Sequence, residues 1–192
     1  STKQYNIGDV LTIKETKAPK GYKLDTKTYT HTVTSGENLI SVSDIPIFDP
    51  PFVLTKVDKD TTTPQGDATF SGAVFKWEYF PNNDWSGTPA RVWYFATDTS
   101  GRCVYSKDYL APGYTSDALY VSPANVNQLP LGTVKITEVK NSLGYTVIPN
   151  SLYCTIAEDS SKASGAKHIW TEESKAILTQ MANGDWGIYE PI

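Results

Sequence analysis

Two glutamates stand out by the residues downstream of them. Glu15 lies in Ile13-Lys14-Glu15-Thr16-Lys17, ahead of Gly21-Tyr22; Glu138 lies in Ile136-Thr137-Glu138-Val139-Lys140, ahead of Gly144-Tyr145. In both, Gly comes six residues after Glu, and Tyr comes next. The match joins a strand end, a carboxylate and a Gly-Tyr turn in the same order, and two copies imply two related domains. Other reactive groups are sparse. Cys103 and Cys154 lie on expected strands; they could form a disulfide outside the cell or remain two buried free thiols. His31 and His168 sit in no nucleophile motif. Neither His31 nor Cys103 has neighbours at metal-ligand spacing, so no metal is expected. Asp58 and Asp60 could suggest a cation site, but such acid pairs usually face solvent. The 5 Trp and 12 Tyr could build a sugar-binding platform; core and cross-strand packing is the commoner use of such rings.

The elements that must position these groups read as β-strands. Thr occurs 23 times and Val 13 times, and both suit a pleated, half-buried surface. Gly and Pro are spread along the chain as turn punctuation, and long helical periodicity is almost absent. Strands are expected over 10–15, 27–33, 39–44, 52–57, 72–80, 132–138 and 151–157. A further hairpin is expected from 91–97 and 102–106 around Asp98-Thr99-Ser100-Gly101. At the C-terminal end, Thr171 could cap a short helix. The preferred reading is a hairpin of 177–182 and 185–189 around Asn183-Gly184 as a type I′ turn, because Trp186 and Ile188 keep a period of two. The fold class is all-β, an antiparallel sandwich of short strands.

Pro46, Pro50 and Pro51 mark a stiff joint and the best domain boundary, giving domains 1–50 and 51–192. The copy at Glu138 has several strands ahead of it, whereas only 14 residues precede Glu15. Residues 1–50 therefore read as the C-terminal part of one domain, and 51–192 as a complete one with insertions.

The run Lys14-Glu15-Thr16-Lys17-Ala18-Pro19-Lys20-Gly21-Tyr22 resembles the Glu box of CnaB-type domains, the SpaA-like or prealbumin-like modules of Gram-positive surface proteins and pilins. Leu54-Thr55-Lys56-Val57-Asp58, with Gly72-Ala73-Val74-Phe75 further along, resembles the opening strands of that family. The copy at 136–145 lacks the Ala-Pro. The resemblance implies an Ig-like or prealbumin-like sandwich and a spontaneous isopeptide bond, in which a first-strand Lys joins a last-strand Asn or Asp with help from a Glu. Lys56 then matches the nucleophile and Glu138 the proton-handling acid. A lysine buried among aromatic rings favours its neutral amine, and a buried Glu favours its protonated form. Phe75, Trp77 and Trp186 could supply the apolar walls. In the first domain Glu15 is the acid and Asp44 sits where the acceptor belongs, but the lysine strand is absent. In the second, Glu190 falls in the acceptor register although Glu is not the usual residue, and Asn183 is chemically acceptable but looks like a turn residue.

The implied role is a structural stalk module of a cell-wall-anchored, extracellular surface protein or pilus-like adhesin of a Gram-positive bacterium, not an enzyme beyond any self-crosslinking. Its expected partners are neighbouring modules of the same protein. A ligand-binding module holding a glycan or host protein on exposed aromatics is the alternative. No cofactor is implied. A net charge of -4 gives no counterion-release drive toward nucleic acid, and no apolar run is long enough to cross a membrane. No signal peptide opens the chain and no sorting signal closes it, so an exported protein would hold it as an internal piece.

Overall fold

The computed structural model describes residues 4–49, 52–82, 84–181 and 186–190, without the side chains of Trp186, Tyr189 and Glu190. The chain divides into two compact units, Ser1–Ile47 and Phe48–Ile192. No helix among the described residues is long and apolar enough to cross a membrane.

In the first unit, β1 (Val10–Lys14) pairs antiparallel with β3 (Thr28–Thr32), with Ile13 opposite Tyr29. β2 (Tyr22–Lys23) pairs with β4 (Ile45–Pro46). Alternation puts Leu11, Ile13, Tyr29 and His31 on a half-buried face and turns Val10, Thr12 and Thr28 outward. The strand expected over 39–44 is not formed. Ile40 and Val42 alternate with Ser41 and Ser43 as a strand would, but Leu39 and Val42 are exposed and no neighbouring strand pairs with this segment. Alternation without a ladder partner does not make a strand.

The second unit is a two-sheet sandwich. One sheet has the order β11-β10-β9-β6-β7 and the other β12-β13-β5-β8. The strands are β5 (Val53–Asp58), β6 (Val74–Phe80), β7 (Arg91–Ala96), β8 (Arg102–Val104), β9 (Gly132–Lys140), β10 (Leu152–Glu158), β11 (Ala166–Trp170), β12 (Leu178–Gln180) and β13 (Trp186–Glu190). All neighbours are antiparallel except β5 and β13, which run parallel. Between the sheets, Phe52, Trp77, Phe95, Trp93 and Tyr105 pack largely edge-to-face, with centroids 4.9–5.6 Å apart along the cluster. Such contacts add to what their buried area contributes.

Residues 91–97 and 102–106 do not form the expected hairpin: β7 pairs with β6, and β8 pairs with β5 in the opposite sheet. The intervening turn is tight, with the Gly101 N–H donating to Asp98 O, but it packs on β5. Gly101 O accepts the Lys56 N–H, and a Cβ on Gly101 would come 2.6 Å from Lys56 O. The turn thus carries the chain across the sandwich.

The C-terminal segment contains both of its expected forms in succession. Thr171 caps the short helix α1 (Glu172–Lys175), its hydroxyl accepting the Ser174 N–H. β12 and β13 then pair with Gln180 opposite Trp186. A two-residue turn centred on Asn183-Gly184 would set Gln180 opposite Gly187, one residue away; the turn itself lies outside the described residues. β11 was not expected from the sequence.

Candidate functional site

Five of the six residues of β5 are buried, because it runs between β13 and β8 beneath the other sheet. Alternation puts Lys56 on the same face as Leu54 and Asp58. Burying an amine is costly unless it is paired. Here Lys56 Nζ donates to Glu138 Oε1 at 2.8 Å, with both side chains fully buried. β5 and β9 belong to different sheets, so the pair bridges the interior of the sandwich.

A bulge aims Glu138. Along β9 the inward residues are Val134, Ile136 and Glu138. Phe75 lies opposite Glu138, but Val74 lies opposite Lys140, so Val139 is the extra residue and turns outward. The other carboxylate oxygen, Oε2, accepts the Ile148 N–H at 2.7 Å. The site acid is thus fixed from both sides. Glu138 can pass a proton to and from the Lys56 amine along one hydrogen bond.

The Gly-Tyr turn closes the third side. Gly144 has φ +85°, and a Cβ there would stand 2.5 Å from Ala68 Cβ, so glycine is required. The Tyr145 N–H donates to Ser142 O at 3.3 Å, and Asn141 Nδ2 donates to Tyr145 O. The Tyr145 ring centroid is 5.4 Å from Lys56 Nζ, and the hydroxyl donates to Asp58 Oδ2 at 3.1 Å. Asp58 Oδ1 accepts the Thr61 and Asp60 N–H groups at 3.0 and 2.9 Å, together with Gln65 Nε2 and the Thr61 hydroxyl. The Thr61 N–H bond, and then those from Asp60, Gln65 and the Thr61 hydroxyl, hold the Asp58 carboxyl down to about 2, against the opposing effect of burial. Asp58 is therefore an internal acceptor and not half of an exposed acid pair.

Phe75 and Trp77 are both buried, and Phe75 lies opposite Glu138. β13 runs beside β5 and sets Ile188 opposite Lys56 and Glu190 opposite Asp58. The side chains of Glu190 and Trp186, and all of Asn183, lie outside the described residues.

The first unit repeats the arrangement. Glu15 Oε2 accepts the Asp25 N–H at 2.6 Å, ten residues on, just as Glu138 accepts that of Ile148. Gly21 also has φ +85°, and the Tyr22 N–H donates to Pro19 O. The strand register repeats as well. Ile13 faces Tyr29, and Ile136 faces Leu152, each partner displaced by 123 residues (136 − 13 and 152 − 29). Around Tyr29 stand Asp25, Asp44 and Glu15; the hydrogen bond to Asp25, then burial and the three carboxylates, raises the Tyr29 hydroxyl above its ordinary value. The difference lies in enclosure. Tyr145 is 3% exposed and Tyr22 is 39% exposed.

The two thiols are free and do not form a disulfide. Cys103 is buried on β8 and Cys154 on β10, in opposite sheets. His168, which has no motif, pairs through Nε2 with the fully buried Asp49 and stacks against Phe52 at 4.4 Å. Sequence reasoning missed this pair. Its members are 119 positions apart, and no local pattern links them. Among the described residues no cluster of three or more His, Cys, Asp and Glu side chains is placed to hold a metal.

No protein-family model and no curated protein matches the sequence. Solved structures do match. The Bacillus anthracis TIE protein is 20% identical over 79% of this chain and 23% of its own, with a TM-score of 0.52. The C-terminal fragment of the pilus adhesin SpaC from Lactobacillus rhamnosus GG is 17% identical over 98% of this chain and 79% of the fragment, also with a TM-score of 0.52. A second SpaC structure matches at 15% identity over 96% of this chain and 25% of its own, with a TM-score of 0.50. The chain spans a quarter or less of TIE and of the longer SpaC chain. At these identities the likeness is one of fold. The chain has a largely antiparallel β-sandwich fold like that of these pilus-adhesin structures.

Proposed function

We propose that this chain is a load-bearing stalk segment of a Gram-positive, cell-wall-anchored surface protein, stiffened by an isopeptide bond between Lys56 and a side-chain carbonyl group on or just ahead of the last strand. The observation that carries the reading is the burial of Lys56, on the strand that neighbours β13, 2.8 Å from the Glu138 carboxylate across the sandwich. Glu138 takes a proton from the Lys56 ammonium and leaves a neutral amine. The amine nitrogen attacks the acceptor carbon, and Glu138 returns its proton toward the acceptor oxygen. A C–N bond forms as the acceptor's C–O bond (Glu190) or C–N bond (Asn183) breaks. The nitrogen's second proton passes through Glu138 to the leaving group, which departs as water or ammonia. The new amide holds β5 to β13 covalently, so a pull on the module's terminal strands no longer has to be resisted by the ladder alone. Closing so long a loop contributes about 4–5 kcal/mol by analogy with disulfides. Glu15 and Asp44 are assigned the same two roles in the first unit.

The burial of the rings supports a strut over a glycan or host-protein binder. Trp77, Trp93 and Trp170 are buried, and Trp85 is half-buried with its Nε1 donating to Val134 O. A binder would instead display several rings on one face.

Intact mass of the purified chain tests the crosslink. Loss of one water fits a carboxyl acceptor such as Glu190, and loss of one ammonia a carboxamide acceptor such as Asn183. Glu138→Ala is expected to restore the full mass. A full mass in the unaltered protein overturns the crosslink.

A further inference from the structure

We infer that Tyr145 is the positioning residue for the Lys56 amine, and that Asp58 acts through it by anchoring its hydroxyl. This role rests on the crosslink reading and adds to it the group that holds the nucleophile in line with Glu138.

A lysine has four rotatable carbons and reaches one geometry only if its surroundings confine it. Glu138 holds the amine from the β9 side through one N–H. The Tyr145 ring lies within cation–π distance on another side, at 5.4 Å from Nζ. That ring is fixed at both ends. Its backbone is locked in the turn by Ser142 O, by Asn141 Nδ2 and by the contact of Gly144 with Ala68. Its hydroxyl is locked by Asp58 Oδ2, on the same strand as Lys56 and two residues beyond it. Asp58 cannot follow the ring if it moves, because Thr61, Asp60 and Gln65 hold its other oxygen. A chain of fixed contacts therefore runs from the 58–65 loop through Tyr145 to the amine. A nucleophile confined in this way needs less reorganisation to reach its acceptor, and loss of such confinement can cost large factors in rate.

Three variants of the full chain test it: Tyr145→Phe, which keeps the ring and removes the anchor; Tyr145→Leu, which removes the ring; and Asp58→Asn, which replaces the anchoring carboxylate. Each is recovered unfolded in urea and refolded by dilution, and crosslinking is tracked by intact mass against time. The expected slowing is on the order of tenfold for Y145F and D58N and on the order of 100-fold for Y145L. In parallel, the ε-methylene protons of Lys56 are recorded by NMR in the Glu138→Gln background, where crosslinking is disabled. An aromatic ring beside the amine shifts these protons upfield, and Y145L is expected to remove that shift while amide dispersion shows the fold intact. If the parent chain crosslinks but all three variants match its rate, the positioning role is overturned and the crosslink stands. If the parent keeps its full mass, the crosslink reading fails by itself. The NMR arm then decides on the positioning: a Lys56 signal that is the same with and without the Tyr145 ring overturns it.

Discussion

Glu138 accepts the backbone N–H of Ile148 at 2.7 Å with one oxygen while it faces Lys56 with the other. The same carboxylate therefore closes a backbone turn and neutralises a buried amine. Glu138→Ala removes both of these interactions. Removing one member of a buried ion pair costs about 3–5 kcal/mol. Urea unfolding should show a loss of at least that size, because the proposed crosslink is lost together with the pair. Glu138→Gln, which can still accept from Ile148, should lose less. Equal stability of E138A and the parent would remove the pair from the account of the fold.

The glycines of the two Gly-Tyr turns separate strain from crowding. Both have φ +85°. A Cβ at Gly144 meets Ala68 at 2.5 Å, and a Cβ at Gly21 meets nothing within 4 Å. Gly21→Ala should cost about 1–2 kcal/mol in its own unit through backbone strain alone. Gly144→Ala should cost more in the second unit and should also slow crosslinking, because the turn carries Tyr145. Thermal unfolding and intact mass of the two variants check this.

Asp58 and Asp49 make opposite contributions to acid stability. Hydrogen bonds from Thr61 and its neighbours depress the Asp58 carboxyl to about 2. Its stabilising effect is present above the ordinary carboxylate value of about 3.9 and is lost as pH falls toward 2. Burial raises Asp49, against the opposing hydrogen bond from His168. Its contribution is complete below about pH 4 and is lost as pH rises through its elevated value. Asp58→Asn should flatten the acid limb of a stability-against-pH curve. Asp49→Asn should remove a decline on the other side. Unchanged slopes in both variants would contradict these assignments.

Burial pushes the Cys103 and Cys154 thiols well above their ordinary values. Neither should react with a thiol reagent in the native protein, and both should react in denaturant. A reductant should leave the intact mass unchanged.

The legible part of the site was the part encoded locally. Glu15 and Glu138 announced themselves through Gly-Tyr at a fixed offset, and the turn bonds to Pro19 and Ser142 repeat that offset in space. Lys56 was readable only through the family pattern of its strand, since a lysine among β-branched residues is ordinarily a surface residue. Asp58 was read as solvent-facing because its anchoring partner, Tyr145, is 87 positions away. The sandwich class came from strand-forming residues and scattered turns. The partition of strands between sheets did not, because a four-residue turn at 98–101 looks the same whether the chain doubles back or crosses over. Residues 39–44 failed for the converse reason. Their alternation was present, but pairing depends on neighbours that no local pattern specifies.

The parallel course of β5 and β13 fixes how tension is felt. β5 begins at Val53, and β13 reaches Glu190 at the far end of the adjacent strand. Opposed pulls at these two points act along the strands in shear, so the rungs from Trp186–Leu54 to Glu190–Asp58 are strained together and cannot be unzipped in turn. A single covalent rung in that ladder would make the module nearly inextensible, and stretching would then be confined to whatever lies between modules.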